Sequence, residues 1–249
     1  MPCSRHRTGT GVPVSPCFKM AMMALSLYLE VFMKSLSAQL GLKFYFYMVL
    51  FLGGITGAEL FTGNNLLAMA WADGKISTLE LLRNWVVVCI GNFIGAAGLA
   101  LLVYLSRHPD MNQGAIAQEY IKIAEAKAAL PFWTAFFKGI LCNVLVCMAV
   151  WMAFAGRSVV DKVVAIVFPI SAFVAAGFEH SVANMYFFPL AMLLQTFDDA
   201  GMVAHTVTWA GLFRNLVPVI LGNIIGGSVL VGLVYHVIYR RTAETDKSI

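Results

Sequence analysis

Between Asn84 and Leu105 the chain runs for 22 residues, "NWVVVCIGNFIGAAGLALLVYL", without one charged side chain. As an α-helix this stretch is about 33 Å long, enough to cross the roughly 30 Å hydrocarbon core of a bilayer. Five more apolar segments can be walked along the sequence. They run from about Phe18 to Met33 (short, with Glu30 inside it), from near Gly41 to about Trp71, and then Phe132–Ala155, Val163–Leu194 and Asn215–Tyr239. Soluble domains are nearer half apolar and a quarter charged, whereas here 60% of 249 residues are apolar and 12% charged. These features predict an all-α polytopic membrane protein with six transmembrane helices.

The formal charge of +4 comes with no block of like charges and no basic stripe interleaved with aromatics, so no nucleic-acid partner is expected. Lys and Arg number 10 on the side of both termini and 6 on the other, and the positive-inside rule then places both termini in the cytoplasm. The five cysteines (Cys3, Cys17, Cys89, Cys142, Cys147) form no CxxC pair. Three lie inside apolar segments, where a thiol is ordinarily a small buried hydrophobe. The N-terminus has proline and glycine where a cleavable signal peptide needs an apolar run, so none is expected.

The chain also repeats itself. Residues 82–105 align without a gap with "FRNLVPVILGNIIGGSVLVGLVYH" (213–236), matching at 12 of 24 positions. Arg83, Asn84, Gly91, Asn92 and Gly95 pair with Arg214, Asn215, Gly222, Asn223 and Gly226. A looser echo precedes it, "GAELFTGN" (57–64) against "GFEHSVAN" (177–184). The unit holds three spans, and an odd number inserts the second copy upside down. An inverted 3+3 repeat follows, an architecture of channels and transporters.

The echo falls where the second and fifth segments are too long for one simple span and carry polar residues. Backbone leaves a helix at membrane depth only where protein or a watery path satisfies its polar groups. Both helices are therefore expected to be broken, with the positive ends of half-helix dipoles aimed at the break and favouring an anion. Glu59 and Glu179 are expected to accept backbone N–H bonds around the breaks, because a carboxylate lining an anion path repels its cargo. His180 stands where the first copy has Leu60. In a membrane segment an ionisable side chain marks function by default, and imidazole exchanges a proton near neutral pH.

"GAELFTGNN" (57–65), "KGILCNVLVCMAVWMA" (138–153), "GFEHSVANM" (177–185) and "NLVPVILGNIIGG" (215–227) closely resemble the formate/nitrite transporter family over about residues 37–240. With "GRSVVDK" following the second motif, the similarity is nearest to the formate-channel branch. The resemblance implies a homopentamer in the inner (plasma) membrane of a prokaryote, each aquaporin-like protomer having six spans and its own pore. It makes His180 the central histidine, with Asn143 and Asn223 near it and Thr62 on the loop of the broken second helix. Lys127 matches the basic residue that draws anions into the outer vestibule. The hydrophobic constrictions correspond to Phe46 and Phe173 toward the outside, and to Leu50, Leu60, Phe61 and Val146 toward the cytoplasm. Asn184 joins Glu59 and Glu179 as support for the helix breaks.

The implied cargo is formate, with nitrite or hydrosulfide as the alternative. A proton taken through His180 converts the anion into a neutral acid able to pass the apolar rings, with Asn143 and Asn223 orienting the imidazole or the ligand. No cofactor or metal is expected. The sequence holds no H-E-x-x-H motif, and Ser181 beside His180 is only sequence adjacency, so an enzyme is not expected. A structural scaffold needs neither paired breaks nor a central histidine. Residues 1–36 depart from the family pattern and are expected to form an atypical segment with a divergent first helix, and 241–249 a cytoplasmic tail.

Overall fold

The computed structural model describes residues 59–196 and 206–245, and all regular structure in them is helical. The first apolar segment, Phe46 and Leu50 lie outside the described residues. The second segment enters as two residues of non-helical chain, Glu59 and Leu60, then a single turn α1 (Phe61–Asn64), a 3₁₀ turn (Asn65–Leu67) and α2 (Ala68–Ala72). α3 (Thr78–Leu105) follows, starting six residues before the apolar run because Ser77 and Glu80 close a capping box that extends the helix into polar sequence. The polar stretch after it folds as α4 (Ala115–Ala128), and α5 covers Phe132–Ala155.

The fifth segment divides as the sequence predicts. α6 (Val159–Ala175) starts on a second capping box, Ser158 with Asp161, and α7 spans Ser181–Thr196. At 17 and 16 residues, about 26 and 24 Å, each half falls short of the roughly 30 Å hydrocarbon core. α8 (Trp209–Ile224) continues through a wide π-helical stretch, Ile225–Leu233, into α9 (Val234–Thr245). Among the described residues three helical spans are long and apolar enough to cross: Thr78–Leu105, Phe132–Ala155 and Trp209–Tyr239.

α7 forms the centre, packed against α3, α4 and α8. Thirteen of its 16 residues are buried, and a helix buried on nearly every side is one with protein rather than lipid around it. α5 lies between α6 and α8. Its backbone meets that of α8 closely, because a Cβ at Gly222 would stand 2.2 Å from the Phe136 carbonyl oxygen, and one at Gly226 2.3 Å from that of Ile140. Small residues four apart let transmembrane helices approach in this way. The outward faces of α3 (Val86, Val87, Ile90, Ile94) and α5 (Trp133, Phe137, Leu141) are apolar and exposed in the single chain, as surfaces that meet lipid or a neighbouring protomer must be.

Candidate functional site

The break between α6 and α7 is built by local rules. Gly177 takes φ +65°, the left-handed conformation that suits glycine, and the Phe178 and Gly177 N–H groups close back on the carbonyls of Phe173 and Val174 at 3.0 and 3.1 Å. This double closure is a Schellman stop. Two residues later α7 begins. The Ser181 N–H, which has no earlier turn to bond, donates to Asn223 Oδ1 at 3.0 Å, while Asn223 Nδ2 donates to the carbonyls of Glu179 (3.1 Å) and Gly139 (2.8 Å). The start of α1 carries the same device: the Phe61 N–H donates to Asn92 Oδ1 at 3.0 Å, and Asn92 Nδ2 to the Glu59 carbonyl at 3.3 Å.

The carboxylates therefore play a different part from the one the sequence suggests. Among the described residues the backbone N–H groups that open α1 and α7 go to asparagine amides, not to Glu59 or Glu179. Glu179, its side chain 4% exposed, takes the Lys127 ammonium at 2.9 Å and the amides of Asn184 (2.7 Å) and Asn215 (3.5 Å). Asn184 Nδ2 also reaches Asn215 Oδ1 at 2.6 Å. In the first copy Asn64 Nδ2 donates to Glu59 Oε2 (3.3 Å) and to Asn84 Oδ1 (3.0 Å). The pattern is the same, but Glu59 is exposed.

His180 sits at this junction, 6% exposed. Its Nδ1 accepts the Ala183 N–H at 3.2 Å, which fixes the neutral tautomer with its proton on Nε2. Nε2 lies 3.1 Å from the Thr62 hydroxyl, joining the two breaks through one hydrogen bond. The Phe173 ring stacks on the imidazole, centroids 5.8 Å apart and planes 14° from parallel. A cavity of about 290 Å³ opens onto this pair, lined also by Lys127, Lys138, Glu179 and Phe187. Lys127 Nζ lies 5.9 Å above the Phe187 ring.

The structure thus brings Thr62, Phe173, His180, Glu179, Lys127 and Asn184 together. Asn143 and Asn223 are nearby but make no hydrogen bond to the imidazole among the described residues. Asn143 Nδ2 donates to the carbonyls of Thr62 (3.2 Å) and Asn223 (2.6 Å), leaving its buried Oδ1 as an unused acceptor. Asn65 Nδ2 reaches the same Asn223 carbonyl at 3.2 Å, at the entry to the π stretch. Val146 is buried against Ile166, Ile170 and Phe173, and Phe61 is 2% exposed within the core around α7. Leu60 is partly buried at the edge of that core. Among the described residues Ser181 Oγ has no hydrogen-bond partner, so no Ser–His pair is seen. Asn84, Asn92 and Asn65 had no assigned role in the sequence. The signal for the first two was present as asparagines at matching repeat positions, while Asn65 had none.

Long apolar helices, two helix starts stapled by asparagines and a buried histidine between them define a helical membrane protein of the channel and transporter class. The sequence model described as Formate/nitrite transporter matches residues 14–237. The formate channel FocA of Escherichia coli K12 is 39% identical over 197 residues, 75% of this chain and 69% of that protein. A probable formate transporter of Methanothermobacter thermautotrophicus is 37% identical over 201 residues, 74% and 69%. A solved structure described as a pentameric formate channel with formate bound superposes with a TM-score of 0.76 at 35% identity, covering 89% of this chain and 97% of that one. The chain belongs to the formate/nitrite transporter family.

Proposed function

We propose that this chain is one protomer of a homopentameric plasma-membrane channel for formate. Six spans arranged as an inverted repeat, with both termini in the cytoplasm, account for the apolar segments and the charge distribution. The matching asparagine bonds at the two breaks support the repeat. The observation that carries the functional reading is His180, held between the Phe173 ring and the Thr62 hydroxyl at the cavity floor.

The geometry suggests a division of labour. The cavity receives the anion on the Phe173 side, and the Thr62 hydroxyl with the imidazole supplies polar contact where apolar walls otherwise close in. Carrying a bare charge across the bilayer centre costs at least ~2.5–3.5 kcal/mol. For the ring to carry two protons, Nδ1 must give up the Ala183 N–H and take one itself; transfer of one proton from that cation to the carboxylate then gives neutral formic acid and a neutral ring. The acid crosses the apolar constriction, to which Leu60 and Val146 contribute, and releases its proton beyond it. Phe61, packed in the core, holds the loop rather than the path.

The test is uptake by proteoliposomes of formate, nitrite and hydrosulfide between pH 5 and 8, with His180→Phe alongside. Formate flux that exceeds the other two and loses its pH dependence in the variant supports the reading. Unchanged flux and pH dependence in His180→Phe would falsify the protonation step.

A further inference from the structure

Lys138 is the only Lys or Arg between Phe132 and Ala155. It sits seven residues into α5, inside an apolar span, where an ionisable side chain is costly enough to need a reason. It shares a face of α5 with Cys142 and Leu145, which pack against α6, and it lines the cavity in front of His180.

The charge balance of that cavity is unequal. Lys127 and Glu179 stand 2.9 Å apart, 14% and 4% exposed. Together they carry no net charge, and a solute in the cavity meets them as a dipole whose field falls off fast. Lys138 has no ion pair among the described residues, so of the Lys and Glu residues lining the cavity it is the one whose charge no described partner offsets. Low-dielectric walls focus the field of such a charge and raise the local concentration of counter-ions.

We propose that Lys138, rather than Lys127, gathers a small monovalent anion into the cavity before His180, and that Lys127 serves to hold Glu179. The identity of that anion as formate rests on the function proposed above, while the assignment of the charge does not.

The two are separable in one reconstituted preparation of the full chain. A cysteine placed at cavity-lining Ala126, and in a second variant at Ile123, reports local potential as the ratio of its reaction rates with an anionic and a neutral thiosulfonate, the parent protein supplying the background. Lys138→Gln should lower that ratio about three- to tenfold at low salt, and less at high salt. The charge-balanced double variant Lys127→Gln/Glu179→Gln should leave it near the starting value. In formate uptake Lys138→Gln should raise the half-saturating concentration by a similar factor, and Lys138→Arg should restore both readouts. A ratio unchanged by Lys138→Gln, or lowered as much by the double variant, overturns the proposal; Lys138 then merely balances the C-terminal dipole of α6. A ratio that falls as expected in a protein that moves no formate leaves the charge assignment standing and removes the formate reading.

Discussion

Asn92 and Asn223 hold the starts of α1 and α7 with the same pair of bonds. Each accepts the first free N–H of the half-helix, from Phe61 or Ser181, at 3.0 Å, and each donates to the carbonyl two residues before it, of Glu59 or Glu179. One amide thus satisfies a donor and an acceptor that no helix can serve at that depth.

Replacing either by alanine strands two backbone groups. Each unmet buried group costs about 1–3 kcal/mol, so Asn223→Ala should lower stability by roughly 2–6 kcal/mol. Asn92→Ala should lose less, since Glu59 is exposed beside its break. Thermal unfolding of the detergent-solubilised protein reads both, and equal small losses would show that water enters the breaks.

Lys127 and Glu179 form a second test. Removing Lys127 leaves a carboxylate that is 4% exposed without its cation, and breaking a buried pair in this way costs about 3–5 kcal/mol. Lys127→Met should therefore be strongly destabilising. Adding Glu179→Gln should recover most of the loss, because the neutral amide keeps the shape and still meets Asn184 and Asn215. A double-mutant cycle with no coupling would remove the pair from the stability of the break.

The Thr62–His180 bond concerns flux rather than stability. Thr62→Val keeps the volume and loses the hydroxyl, whereas Thr62→Ser keeps the hydroxyl. Valine should change the pH profile of formate uptake and serine should preserve it. If the valine profile superimposes on that of the unaltered protein, the hydroxyl takes no part in transport.

Asp161 gives a pH effect of fixed sign. The backbone N–H of Ser158, its hydroxyl, and the Arg157 N–H hold the carboxyl below its ordinary value of 3.8. A carboxyl depressed in the folded state contributes stability that is complete above the unfolded value and is lost as pH falls through the folded one. The Tm difference between the unaltered protein and Asp161→Asn should be constant near neutrality and close below about pH 4. A difference that persists in acid would mean that the capping box acts without the charge.

Much of the architecture was legible because membrane spans and internal repeats announce themselves in composition and register. The break in the fifth segment was visible as Gly177, Glu179 and His180 inside an apolar run. The roles inside the break were not, since they depend on partners far along the chain: Glu179 meets Lys127 across 52 residues, and Asn143 meets Thr62 across 81. The π stretch was hidden for a related reason. "GNFIGAAG" in α3 and "GNIIGGSV", which runs from the end of α8 into the π stretch, look alike, yet only the second winds wide. There Gly227 lies so close to Asn143 and Cys147 that a Cβ would stand 2.4 and 2.7 Å from them, a crowding that no local pattern records.

The burial of α7 has a consequence for how the protein is made. A 16-residue helix about 24 Å long, led by Glu179 and His180 and carrying Asn184 and Gln195, is a poor candidate to leave the insertion machinery alone. Among the described residues it has little lipid-facing side to offer, its buried surface being matched to α3, α4 and α8. Its entry must be tied to α6 through the Gly177 stop, and to an earlier half of the chain already waiting beside it. Truncated nascent chains that end just after Thr196 should then leave α7 open to protease or to a membrane-impermeant label, and chains that extend beyond Tyr239 should enclose it.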